Sequence, residues 1–175
     1  MKIDIFVKLF LVLPILFSRS LCAAVENDFS KYPAPVYQGS LHIPDYYKNT
    51  ADGWRDDDGK LVAPPVINFS GKYYIGVHSC GAECRYYSLS DLSSGKDVNA
   101  LNMFSSDETP LRARDGRVYI TDLISKADSA LLVARYYIDA FAGKPAECRE
   151  KEFLLGADLK IVPASNTLLS CPSDK

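Results

Sequence analysis

From Val66 onward the chain is a succession of short β-branched and aromatic runs broken by turn residues. "VINFSGKYYIGVHS" is followed by "CRYYSLSDL", "RVYITDLIS", "ALLVARYYIDA", "CREKEFLL" and "DLKIV". Between them stand "SSGK", "DG", "KADS", "AGKPA" and "GA". Runs of this length separated by turn signals predict antiparallel strands joined by tight connections. No stretch beyond the N-terminus keeps a helical apolar spacing over three turns, so at most one or two short helices are expected. One helical turn is expected in "DVNALNMF", with Asp97 as its cap. The fold class that follows is mainly β: an antiparallel meander, as an open sheet or sandwich-like. It contains two blade-like units, "KYYIGVHSCGAECRYYSLSDLSSGK" and "ALLVARYYIDAFAGKPAECREKEFLLGADLK". Each pairs a Tyr-rich strand with a Cys-Arg strand. Two units cannot close a propeller, which needs about four or more blades.

Residues 25–65 have another texture. "KYPAPVYQGSLHIPDYYKN", "DGWRDDDGK" and "LVAPP" are rich in Pro, Asp and Tyr. Proline removes a backbone donor and biases its predecessor to extended conformations. The segment is too aromatic for a disordered linker. It reads as an extended leader packed on a β-rich domain of residues 66–175, with short strands near Val36–Tyr37 and Leu41–Ile43.

Residues 1–24 read as a secretory signal peptide. A short charged segment precedes nine apolar residues, Leu9 to Phe17, and small residues follow at Cys22, Ala23 and Ala24. A bilayer-spanning helix needs about 20, so no stable membrane insertion is expected once the signal is removed. The whole chain carries 20 Lys and Arg against 22 Asp and Glu, a net charge of −2. Removing Lys2, Lys8, Arg19 and Asp4 leaves 17 against 21, a net charge of −4. Such a balance disfavours nucleic-acid binding, which requires a basic face. The expected location is periplasmic or secreted.

Signal removal takes Cys22 and leaves Cys80, Cys84, Cys148 and Cys171. An even count in an exported chain implies two disulfides. Three connectivities are possible. The favoured one is Cys80–Cys84, a tight loop around Gly81, with Cys148–Cys171 tying the last strands to the tail. Cys84–Cys148, across the two Cys-Arg strands, is the alternative. This assignment leaves no free thiol, so His78, Cys80 and Cys84 are not expected to hold zinc, and no Cys nucleophile is expected beside His78. "DGWRDDDGK" departs from the calcium-loop pattern, because Trp54 and Pro65 stand at its two anchor positions. The reading assigns no catalytic residue, no metal and no cofactor.

Strand alternation splits each Tyr-Tyr pair, at 46–47, 73–74, 86–87 and 136–137, between two faces. One Tyr of each pair belongs to the core and the other to a strip available for contact, since Tyr combines large area with a polar tip. The candidate binding residues are Trp54, Arg55, Tyr74, His78 and Tyr86.

"SGKYY" at 70–74 matches the Ser-Gly-x-x-Tyr string and so resembles a signature of bacterial periplasmic lysozyme inhibitors. That family's second motif, a downstream Tyr with Thr-Lys-Gly, is missing, and no residue role is carried over. More broadly, "APPVINFSGKYYIGVHSCGAECRYYSLSDLSSGK", "SKADSALLVARYY" and "CREKEFLL" resemble a group of small exported bacterial proteins of unknown function. Their shared theme is Asn-Phe-Ser/Ala-Gly-Lys-Tyr, then Cys-Gly-x-x-Cys. The resemblance covers roughly residues 64–155 and implies a β-rich envelope domain without implying an activity. The expected function is binding another envelope or periplasmic protein, as an inhibitor or immunity-type partner. A periplasmic hydrolase using dispersed carboxylates and a structural envelope module are the alternatives.

Overall fold

The structure is a computed structural model that describes residues 27–81, 84–106 and 109–172. The expected signal peptide and its cleavage site lie outside the described residues. The fold is mainly β and antiparallel, as the runs and turns of the sequence predict. Helix among the described residues is confined to two single 3₁₀ turns, Phe29–Lys31 and Asn102–Phe104.

The described residues form three sheets. A small one belongs to the leader: β1 (Lys48–Thr50), β2 (Gly53–Arg55) and β3 (Leu61–Val62). The first blade-like unit is β4 (Tyr73–Gly81), β5 (Cys84–Asp91) and β6 (Lys96–Asp97). The largest sheet holds β7 (Leu111–Arg112), β8 (Val118–Ser125), β9 (Leu131–Ile138), β10 (Glu147–Leu155) and β11 (Ile161–Pro163), in the order β11-β10-β9-β8-β7. A last short strand, β12 (Leu169–Ser170), also pairs with β10. One of the antiparallel sheets is curled into a half-barrel. The second blade-like unit is the β9–β10 hairpin of the largest sheet.

The main core lies between the β4–β5 hairpin and one face of the larger sheet. The hairpin contributes Tyr73, Ile75, Tyr87 and Leu89, and the sheet contributes Leu132, Ala134 and Phe153. Phe69, Leu101 and Phe104 close its edges, with Phe104 meeting Phe153 edge to face at 5.1 Å. Each such side chain fully buried contributes about 1.5–3 kcal/mol. That gain outweighs the modest β propensity of the individual strands.

The leader wraps both outer faces. Phe29 packs on Leu131 and Val133 behind the larger sheet, and Ser129 Oγ donates to Phe29 O at 2.8 Å. Ala34 N donates to Asp128 O, and Tyr37 N donates to Gly71 O. Gly71 sits at φ +80°, and a Cβ there would lie 2.3 Å from Pro35 O. The bend that the sequence marks at Gly71 thus admits both the left-handed backbone and the crossing leader.

Two local expectations are corrected. Val36–Tyr37 and Leu41–Ile43 are not strands: Tyr37 N and His42 N each make a single bond, to Gly71 O and Leu92 O, instead of entering a ladder. The leader's strands form later in the sequence, at β1–β3. The helical turn in "DVNALNMF" begins at Asn102. Asp97 ends β6 and accepts from Ser90 Oγ at 2.7 Å and from Tyr46 Oη at 2.9 Å, which removes it from the capping role.

Candidate functional site

The face of β4–β5 turned away from the main core carries Tyr74, Gly76 and His78 opposite Ser90, Ser88 and Tyr86. The leader covers it with Ile43, Tyr46, Tyr47, Trp54 and Val62. Opposite Ser88, Gly76 leaves a slot where a side chain would stand. Tyr47 Oη fills it: a Cβ on Gly76 would lie 2.2 Å from Tyr47 Oη, 2.5 Å from Ser88 Oγ and 3.1 Å from His78 Nε2.

Around that slot lies a buried polar cluster. Asp56 Oδ2 is 3.0 Å from His78 Nδ1, and both side chains are almost wholly removed from solvent, at 0% and 2% exposure. Lys60 N donates to Asp56 Oδ1 at 2.8 Å. On the far side of the imidazole, Nε2 is 3.0 Å from Ser88 Oγ and 3.2 Å from Tyr47 Oη. These two hydroxyls are themselves 2.9 Å apart. The Tyr86 ring stacks on His78 at 4.5 Å and 7°, and the Tyr47 ring lies on it at 5.9 Å and 21°.

Burial pushes the Asp56 carboxyl up, but the hydrogen bonds from His78 and from the Lys60 backbone outweigh it and hold the group below the ordinary aspartate value. Asp56 is therefore a carboxylate and an acceptor, which places a proton on His78 Nδ1. Nε2, the other ring nitrogen, faces the hydroxyls of Ser88 and Tyr47. Burial drives the Tyr47 phenol far up, so it is protonated at every physiological pH. Tyr86 is pushed up to about 12 by burial and by Asp57, Asp58 and Asp56. Tyr74 also rises to about 12 through burial, and its hydroxyl donates to Ala63 O at 2.9 Å.

Asp56, His78 and Ser88 thus stand in the order and spacing of a carboxylate–imidazole–hydroxyl relay, the arrangement that activates serine for acyl transfer. Here the hydroxyl of Tyr47 takes the place beside Ser88 Oγ and His78 Nε2 that a reacting carbonyl needs. Two members of the cluster, Tyr47 and Asp56, belong to the leader, and two, His78 and Ser88, belong to the hairpin. As arranged, the relay fastens one to the other.

Four of the sequence-predicted residues, Trp54, Tyr74, His78 and Tyr86, come to this junction, but not as an exposed strip, and the fifth, Arg55, makes its contacts within the leader. Tyr74 and His78 are buried in the covered face, and Tyr86 is half-buried against His78. Trp54 is half-buried and packs into the leader–hairpin contact. Arg55 is half-buried and donates to Gly59 O at 2.7 Å. Their aromatic surface is spent inside the molecule, because the leader folds back over it. Sequence reading missed Tyr47, Asp56 and Ser88 as partners of His78. The available signals were the shared strand face and the acidic turn, but neither reveals which segment covers which face. Asp56, one of the calcium-type positions in that turn, spends its oxygens on His78 and Lys60. No group of three or more His, Cys, Asp or Glu side chains suited to a metal occurs among the described residues.

A second candidate site lies on the larger sheet. Strand pairing puts Tyr119 with Ile138, Tyr136 with Arg149 and Ala134 with Lys151 on one face. The hairpin covers the end of that face bearing Leu132 and Phe153 and leaves the other end as an open groove of about 430 Å³. Its floor is Tyr119, Tyr136 and Ile138, and Leu168, Arg114, Arg149 and Lys151 stand around it. The two tyrosine rings meet edge to face at 5.5 Å, and burial pushes the Tyr136 phenol up to about 12. Arg149 pairs with Glu147 at 2.6 Å. Arg114 and Lys151 have no ion-pair partner among the described residues.

Cys80 and Cys84 have Cα atoms 5.0 Å apart, and Cys148 and Cys171 5.4 Å, both disulfide spacings. The favoured pairing of the sequence is the one the structure brings together. The class defined by these features is an antiparallel all-β protein with two cystine-distance pairs and its N-terminal segment folded back over the sheets. No family model matches the chain, and neither a curated protein nor a solved structure matches it.

Proposed function

We propose that the protein is an exported envelope protein that works by binding another envelope or periplasmic protein, as an inhibitor or immunity-type partner. The observation that carries this reading is the open groove, where an aromatic floor and two cations without an ion-pair partner among the described residues, Arg114 and Lys151, stand on an acidic chain. Tyr and Arg are enriched where proteins meet. The signal-like N-terminus and the cysteine pairs support export. The test is capture of a partner from envelope extract by the oxidised protein, followed by reconstitution of the pair from purified components. Turnover of a cell-wall or peptide substrate that disappears with one side-chain substitution would sink the reading.

The second reading is a hydrolase, and the observation favouring it is the Asp56–His78–Ser88 relay. Labelling by a fluorophosphonate, abolished in Ser88→Ala and in His78→Gln, is the outcome it requires.

A further inference from the structure

We infer that the groove over Tyr119 and Tyr136 takes an acidic polypeptide segment that also brings an apolar side chain to the tyrosine floor. The inference rests on the binding reading above and names the chemistry of its partner.

Charge comes first. The chain is net negative, yet three cations, Arg114, Arg149 and Lys151, line this one groove. Glu147, which pairs with Arg149, is engaged on both oxygens: Arg117 binds one and Arg149 the other. Those two guanidinium groups hold its pKa below the ordinary glutamate value, so it stays ionised and committed. Arg114 is exposed and Lys151 half-exposed, and neither has an ion-pair partner among the described residues. An incoming carboxylate therefore meets cationic charge that no described carboxylate neutralises at Arg114 and Lys151, and complementary potential selects the partner and its approach.

Shape decides the size of the occupant. A site for a small ligand encloses it, burying about 70–90% of its surface. This groove is open along the sheet, with Leu168 half-exposed at its edge, at 51%. It cannot enclose a small anionic amphiphile. A polypeptide segment extends past the groove and gains further contact area from the surrounding surface. The floor suits such a segment, because Tyr119 and Tyr136 are held edge to face by neighbouring strands and lose little freedom on contact.

The experiment titrates a dye-labelled short peptide alternating Glu and Phe into the full chain, secreted and oxidised, and reads anisotropy. A Lys-for-Glu peptide and dodecanoate serve as comparison probes. The expected result is saturable binding of the acidic peptide alone. Binding weakens about tenfold or more in Arg114→Glu/Lys151→Glu, and also in Leu168→Glu, a separate variant at an exposed position. Circular dichroism and unaltered unfolding midpoints establish that both variants fold. Equal binding to wild type and variants, equal binding of the Lys peptide, no binding of the acidic peptide, or preference for dodecanoate overturns the inference. Its failure is distinguishable from failure of the binding reading. A reconstituted partner held equally by wild type and by Arg114→Glu/Lys151→Glu removes the groove but keeps the reading. Substrate turnover with no reconstituted partner removes both.

Discussion

The two blade-like units present similar Tyr-rich strands and meet different fates. On β4–β5 the face away from the core is closed by the leader, and its hydroxyls are tied: Tyr74 to Ala63 O, Tyr47 to Ser88 and Tyr46 to Asp97. On the larger sheet, Tyr119 and Tyr136 pack on each other at the floor of an open groove. Composition does not separate a structural tyrosine from one available to a partner. What separates them is whether another part of the chain arrives with matching polar atoms. The covered face receives Asp56 and Tyr47 from the leader, and the open end of the larger sheet receives no such pair among the described residues.

The sharpest way to break this contrast is His78→Ala. It leaves the buried Asp56 carboxylate with only the Lys60 amide, and loss of one member of a buried polar pair costs about 3–5 kcal/mol. Urea unfolding checks it, and a loss under about 1 kcal/mol would mean that the covered face is not held by this cluster. Next come the cystines, one within the first unit and one tying the second unit to the tail. Removing Cys148–Cys171, with a sequence separation of 23, should cost roughly 3 kcal/mol, against roughly 2 kcal/mol for Cys80–Cys84, with a separation of 4. Equal midpoints for Cys148→Ser/Cys171→Ser and Cys80→Ser/Cys84→Ser would contradict the ranking. Gly76→Ala should cost about 1–3 kcal/mol by pushing Tyr47 out of its slot, visible as a changed near-ultraviolet circular dichroism signal.

Acid sharpens the comparison further. The Asp56 carboxyl titrates lower in the fold than in the unfolded chain. Its contribution is complete above the ordinary aspartate pKa, near 4, and is lost as the pH falls through the folded value. Asp56→Asn should therefore show a shallower fall of the unfolding midpoint with pH in that acid range than wild type. An unchanged slope would assign the acid sensitivity elsewhere. The smallest effect belongs to the open face: Leu168→Glu should shift stability by no more than about 0.5 kcal/mol. A larger loss would show that the groove is part of the core.

The long strands were legible because alternation in "KYYIGV", "RYYSL" and "ALLVARYY" assigns each residue a face. The cystine pairs followed from the even cysteine count that the signal-like N-terminus leaves and from the reach of a tight loop. The leader's sheet was not legible: β1 "KNT", β2 "GWR" and β3 "LV" are too short to carry a period, and they pair through register with one another. The polar cluster was hidden for the same reason. Asp56 and His78 are 22 positions apart, and only the docking of the leader brings them within 3.0 Å. Periodicity shows which way a side chain points, whereas long-range docking determines what it meets.

The docking of Phe29 has a consequence for the order in which the chain acquires its shape. Ser129 Oγ reaches Phe29 O across 100 positions, so Phe29 is synthesised well before the strand that gives it its place. Until β9 forms, Phe29 and Tyr32 have no apolar surface waiting for them, and contacts this distant in sequence are slow to close. A chain threaded N-terminus first across a membrane would therefore carry an adhesive aromatic leader for most of its passage. Its folding rate would be set by how quickly its far end catches up.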